Sequence, residues 1–276
     1  MRLSSKRRHF LLTFAALVAT TVSAFSADNW EATVSPFAPG SFPELRPLRA
    51  KYNFGWNGVT AASGDIRLAR GTGGRFELEA KGGTLGFARS LWPYDVKHVG
   101  VSDANTLRPI EVAEVETFGK KEVTTKATFT NERADSVQEE RRGSAVASKN
   151  RGFTSPNIFS VDSALLYLRT QPLKEGAVQR VVIYPATSAY LATITVVGHE
   201  QLTVPTGTYD AIKLDVQLSK IGKNRQLQKH KKFKRATVWL SNDADRLILR
   251  VETQVFIGTV YAELQSLQFE NANAKP

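Results

Sequence analysis

From residue 50 onward, apolar and polar positions alternate with a period of two far more often than they recur at helical spacing. The alternation predicts strands over Ala50 to Trp56, Val59 to Ala69, Arg75 to Lys81, Tyr94 to Val101 and Pro109 to Phe118. Glu122 to Thr130 and Ser136 to Arg142 continue it with one polar face, as in an antiparallel meander wetted on one side. In the second half the pattern covers Gln179 to Tyr184, Leu191 to Gly198, Tyr209 to Ile221, Phe233 to Leu240, Leu247 to Val255 and Thr259 to Gln268. The cleanest case is "AIKLDVQL", Ala211 to Leu218. It sets Ile212, Leu214, Val216 and Leu218 on one face and Lys213, Asp215 and Gln217 on the other.

Two segments depart from this rhythm. "GTLGFARSLWP" is compact from Leu85 to Leu91 and stops at Pro93, which predicts a short helix or turn. In "FSVDSALLYLRTQPL", Ser160 or Asp162 caps a helix that carries Leu165, Leu166 and Leu168 and ends near Pro172. This helix is expected to cover an open face or end of the sheet. The fold class expected is mainly β: a large antiparallel curved sheet or open β-barrel with one or two short helices. It forms a single β domain over residues 49–270, followed by a disordered tail at 271–276.

Before the strands, residues 25–48 hold Pro36, Pro39, Pro43 and Pro47 with little periodicity, and read as an extended lead-in over the surface. The first 24 residues have the form of a secretory signal peptide. Arg2, Lys6, Arg7 and Arg8 precede an apolar stretch from Phe10 to Val22, and Val22-Ser23-Ala24 offers a cleavage site. The apolar stretch is shorter than the roughly 20 residues that a membrane-spanning helix needs, and no later segment approaches that length. The chain is therefore expected to be exported, with the periplasm of a Gram-negative cell as its address and the extracellular space as the alternative. There is no cysteine, hence no disulfide framework, thiolate metal site or lipidated cysteine.

The formal net charge of +11 is unevenly placed. Four cations belong to the signal segment. Eight more, Lys220, Lys223, Arg225, Lys229, Lys231, Lys232, Lys234 and Arg235, fall in one run with no carboxylate among them. The remainder is close to neutral, so this run is the candidate anionic-contact site. An exported chain with one aromatic residue, Phe233, inside its basic run is a poor nucleic-acid platform. Anionic lipid head groups or lipopolysaccharide phosphates fit the address better, each basic residue being worth about 1 kcal/mol near such a surface. The structural alternative is a long hairpin loop kept soluble by its charge.

"YNFGWNGVTAASGDIRL", "FSVDSALLYLR", "VPTGTYDAIKLDV" and "VWLSNDADRLILRVETQVFIGTVYAEL" follow one another in an order that resembles the bacterial family called domain of unknown function 3108, over about residues 48–269. The resemblance implies an exported protein of the Gram-negative envelope with a mostly antiparallel β fold. It implies no established activity and supplies no catalytic residues.

The residues themselves offer little for catalysis. His98, His199 and His230 have no neighbour at metal-ligand spacing. His199 and Glu200 are adjacent on a strand and point to opposite faces. His98 alternates with Val99 and Val101 as a half-exposed strand residue, lacking the second group that acid–base work requires. Glu77 and Glu79, or Glu111, Glu114 and Glu116, are the carboxylates that a hydrolase would draw on, but they read as solvated strand faces. No catalytic, cofactor or metal residue is assigned.

Three functions remain. The leading one is non-catalytic binding, in which an apolar groove takes a lipid or other amphipathic envelope molecule. The second is a periplasmic interaction or assembly module that contacts an envelope protein, peptidoglycan or lipopolysaccharide and has a filled core without a ligand cavity. The third is an uncharacterised hydrolase. A through-going apolar cavity discriminates the first from the second.

Overall fold

The computed structural model describes residues 29–40, 45–229, 235–255 and 258–270. The expected signal segment and tail lie outside them, as do Lys231, Lys232, Lys234 and His230. The first half contributes β1 (Leu48–Trp56), β2 (Val59–Gly71), β3 (Arg75–Thr84), the short helix α1 (Gly86–Leu91) and β4 (Tyr94–Asp103). These are followed by β5 (Pro109–Phe118), β6 (Lys121–Phe129), β7 (Arg133–Arg142), β8 (Ala145–Thr154) and β9 (Ile158–Phe159). Helix α2 (Val161–Arg169) intervenes before β10 (Val178–Ile183), β11 (Tyr190–Val204), β12 (Gly207–Ile221) and β13 (Leu227–Lys229). β14 (Arg235–Ser241), β15 (Ile248–Val255) and β16 (Gly258–Phe269) complete the sheet. Among the described residues, no helix is long and apolar enough to cross a membrane.

All the strands belong to one sheet of order β8-β7-β6-β5-β4-β3-β2-β1-β16-β15-β14-β12-β11-β10-β9, with β13 paired to β12 alone. Neighbours are antiparallel except β9 and β10. The edge strands β8 and β9 are consecutive in sequence, so the sheet curls round into a nearly closed barrel. Side chains rather than a ladder bridge the seam. Ala127, Phe129 and Ala134 on one side pack with Ile158, Val182 and Tyr184 on the other. Ser136 Oγ lies 2.9 Å from the Tyr184 hydroxyl and donates to the Ala186 carbonyl at 2.6 Å.

Alternation builds this wall as the sequence leads one to expect. On β12, Ile212 and Leu214 are fully buried inside, while Lys213 on the outer face pairs with Glu200 at 3.1 Å. Gly207, at φ +136°, makes the turn into that strand, which an L side chain resists. Two elements escape the pattern. β8 is exposed at nearly every position and shows no alternation, because it is an edge strand held by its pairing with β7. β14 is buried on both faces: Val238 and Leu240 point inward, and Trp239 lies under partly buried Leu202 and Tyr209. Trp239 donates from Nε1 to Glu200 at 2.6 Å.

The helix α2 packs against the inner face of the curled sheet, touching β4, β9 and β10. Ser160 caps it by accepting from the backbone N–H of Ser163 at 3.1 Å, and the Ser160 N–H donates back to Ser163 Oγ at 3.0 Å. Leu166, Tyr167, Leu168 and Arg169 are all buried. The lead-in is also less superficial than its prolines imply. Trp30 and Leu45 are buried, and the Phe37 ring stacks 5.4 Å from that of Tyr167. Burial of these large side chains holds a segment whose regular structure, among the described residues, is one 3-10 turn, Trp30–Thr33.

Candidate functional site

Strand direction gives the barrel two unlike ends. At the end that holds the β2–β3, β4–β5 and β14–β15 connections, the interior is filled by Leu48, Leu68, Phe76, Leu166, Leu249 and Leu264. Toward the other end it is not filled. A cavity of about 550 Å³ lies between α2 and the wall, floored by Leu48, Leu68 and Leu247 and reaching up to Phe54 and the Tyr184 to Thr187 loop. Its lining is aliphatic and aromatic apart from His98, Glu114, Glu116, Thr125, Gln138, Ser160, Asp162, Arg169 and Thr187.

Period-two geometry explains which groups face inward. On β5, Val112, Glu114 and Glu116 line the cavity, whereas Glu111 is exposed outside. On β3, Leu78 and Ala80 line it, so Glu77 and Glu79 point away. The reading of Glu114 and Glu116 as part of a solvated strand face is thereby corrected: closure of the barrel turns their face into an interior.

His98 is corrected in the same way. It is not a half-exposed residue lacking a second group; it bridges two carboxylates. Nδ1 lies 3.0 Å from Glu114 Oε2 on the neighbouring strand, and Nε2 lies 2.9 Å from Asp162 Oδ2 in the first turn of α2. Burial pushes its pKa down, but the hydrogen bonds it donates to Asp162 and Glu114 prevail and push it up to about 10. His98 is an imidazolium at neutral pH, with both nitrogens donating. It has no free nitrogen with which to act as a general base. Gly100, two residues along β4, makes room for this contact, since a Cβ there would collide with the Asp162 carboxylate. Among the described residues no group of three or more His, Cys, Asp or Glu is placed to hold a metal ion.

At the far end of α2, Arg169 is 7% exposed and also lines the cavity. Its Nε and Nη2 donate to the Asp245 carbonyl at 3.0 and 2.6 Å. Burial holds its pKa below the usual arginine value, an effect partly offset by the charges of Asp245 and Asp243. Beside it the Tyr52 hydroxyl donates to the Ile248 carbonyl at 2.7 Å, and burial pushes the Tyr52 pKa up.

The cationic run lies where β12 finishes and β14 begins. Lys220, Lys223 and Lys229 are exposed there. The run is not wholly a loop, because Leu227–Lys229 pairs with Ser219–Ile221. Its two arginines are committed to the protein. Arg225 forms an ion pair with Glu31, donates to the Thr154 carbonyl at 2.9 Å and lies over the Trp30 and Phe153 rings. Arg235 forms an ion pair with Asp215. Elsewhere on the surface, apolar groups stand in water. Phe87, Leu91 and Trp92 around α1 are exposed, Phe87 at 78%, as are Trp56 and Val59 in the β1–β2 turn.

Comparison with known proteins places the fold but no activity. The family model described as "Protein of unknown function (DUF3108)" matches residues 51–265. Among curated proteins, none matches. A crystal structure of a beta-barrel-like protein of domain of unknown function DUF1849 from Brucella abortus is similar at a TM-score of 0.56 and 10% identity. That match covers 83% of this chain and 99% of that one. A protein with a YmcC-like fold from Bacteroides fragilis aligns at a TM-score of 0.34 and 8% identity, over 84% of this chain and 100% of that one. The first likeness shows a shared barrel-like fold, and the second is too weak to carry an argument.

Proposed function

The chain belongs to the DUF3108 family, and on that footing we propose that it is an exported, non-catalytic binding protein of the cell envelope. Its barrel takes the apolar part of a lipid or other amphipathic molecule. The observation that carries this reading is the cavity of about 550 Å³ between α2 and the wall. Its size falls within the roughly 300–1,000 Å³ of small-molecule sites, and its make-up of apolar lining with a few convergent polar groups is the usual one. A filled interior would have favoured an assembly module.

The surface supports the same reading. Lys220, Lys223 and Lys229 are exposed and are continued in sequence by Lys231, Lys232 and Lys234. Phe87, Leu91 and Trp92 around α1 are exposed apolar groups. Exposed cations and exposed aromatics both suit an anionic head-group layer, whether phospholipid or lipopolysaccharide. Arg225 and Arg235 serve instead to anchor the segment. The N-terminal pattern of the sequence is what supports a periplasmic address.

Native mass spectrometry of gently purified protein is the test. A bound species with the mass of a lipid, lost on organic extraction and regained on mixing with extracted envelope lipid, is the expected result. Repeated absence of any such adduct, before and after mixing, overturns the reading.

A further inference from the structure

The two charged ends of α2 differ in one respect that bears on the ligand. Asp162 and Glu114 each meet His98. Arg169 meets no carboxylate among the described residues; its contacts are two bonds to a single carbonyl oxygen, and its Nη1 has no partner among them. The nearby carboxylates are engaged elsewhere. Asp245 is held by Arg46, through Nε at 2.8 Å and Nη2 at 2.5 Å. Asp243 accepts from Ser241 Oγ and from the backbone N–H groups of Asp245 and Arg246. Glu114, Glu116 and Asp162 lie toward the other end of the helix, Asp162 being seven residues or about 10 Å along the axis. A guanidinium cannot shed its proton, and burying one without an anion is costly.

We propose that Arg169 is the anion-recognition residue of the cavity, and that the ligand is a single-chain amphiphile with a carboxylate or phosphate monoester head. The head sits at the inner end against Arg169. The chain then runs past Ile66, Leu78 and Leu165 toward Phe54 at the unfilled end. A planar guanidinium with a donor still available suits an oxyanion of either kind. This rests on the reading of the cavity as an amphiphile site and adds the chemistry of the head.

Calorimetric titration of the delipidated protein with dodecanoate, dodecyl phosphate and dodecanol, each below its aggregation concentration, tests it. One or both anions bind roughly tenfold or more tighter than dodecanol, the margin that a charge-assisted hydrogen bond gives. Arg169→Gln abolishes that margin while dodecanol affinity stays within about threefold, and Arg169→Lys keeps part of it by keeping the charge. Equal binding of alcohol and both anions by the unaltered protein overturns the assignment of Arg169 and leaves the cavity reading standing. A preference for the anions that survives Arg169→Gln does the same. Failure of all three to bind removes both. Should Arg169→Gln not fold, the anion-against-alcohol comparison and Arg169→Lys still decide.

Discussion

The protein holds two concentrations of charge that could hardly be less alike. Lys220 to Arg235 is a run of like charge, contiguous in sequence, whose described lysines Lys220, Lys223 and Lys229 are exposed. His98, Glu114 and Asp162 come from three elements, meet inside the barrel and satisfy one another. Like charges that are neighbours in sequence repel, so the exposed lysines stay in water and only Arg225 and Arg235, paired with Glu31 and Asp215, tie the run to the protein. Opposite charges brought together out of water bind the scaffold, because either one left alone is costly. A high density of charge therefore says little until its partners are known.

Breaking the interior cluster should have the largest effect. His98→Gln strands two carboxylates, and should cost about 3 kcal/mol in urea unfolding at pH 7. The pH dependence supplies its own check. His98 has a folded pKa raised to about 10 from an ordinary value of 6.5. Its contribution is thus fully present below pH 6.5 and is lost as pH rises toward 10. The unaltered protein should lose stability over that window, and His98→Gln should not show this loss. A parallel pH profile for the two proteins would mean that the bridge does not hold α2.

Gly100→Ala sharpens the same point without touching a charge. The added methyl collides with the Asp162 carboxylate and forces α2 off the wall, at a cost of about 2 kcal/mol. Part of the stability loss above pH 6.5 should vanish with it. A neutral outcome would show that α2 shifts freely, against the geometry of the bridge.

Changing Lys229, Lys231, Lys232 and Lys234 together to Gln should have the smallest effect on folding, within about 0.5 kcal/mol. It should nonetheless abolish binding to anionic vesicles at low salt in a flotation assay. Vesicle binding that survives assigns the contact elsewhere on the surface.

The sequence by itself determined the wall. Alternation placed β5 at Pro109–Phe118 and set Ile212 and Leu214 opposite Lys213, because a strand's period is a local property of the backbone. Ser160 announced the start of α2 for the same reason: a cap is a contact between near neighbours. The cationic run was equally plain, and so was the family resemblance. β8 was not legible, since an edge strand wet on both faces carries no pattern and is fixed only by its partner. Nor were the inward roles of His98, Glu114 and Arg169. Whether one face of a strand is solvent or cavity depends on closure of the sheet by β8 and β9, which are neighbours in sequence but lie fourteen steps apart along the sheet. The His98–Asp162 contact spans 64 residues. Tertiary structure alone decided it, because the chain has no local signal for which distant side chain a curved sheet will bring within reach.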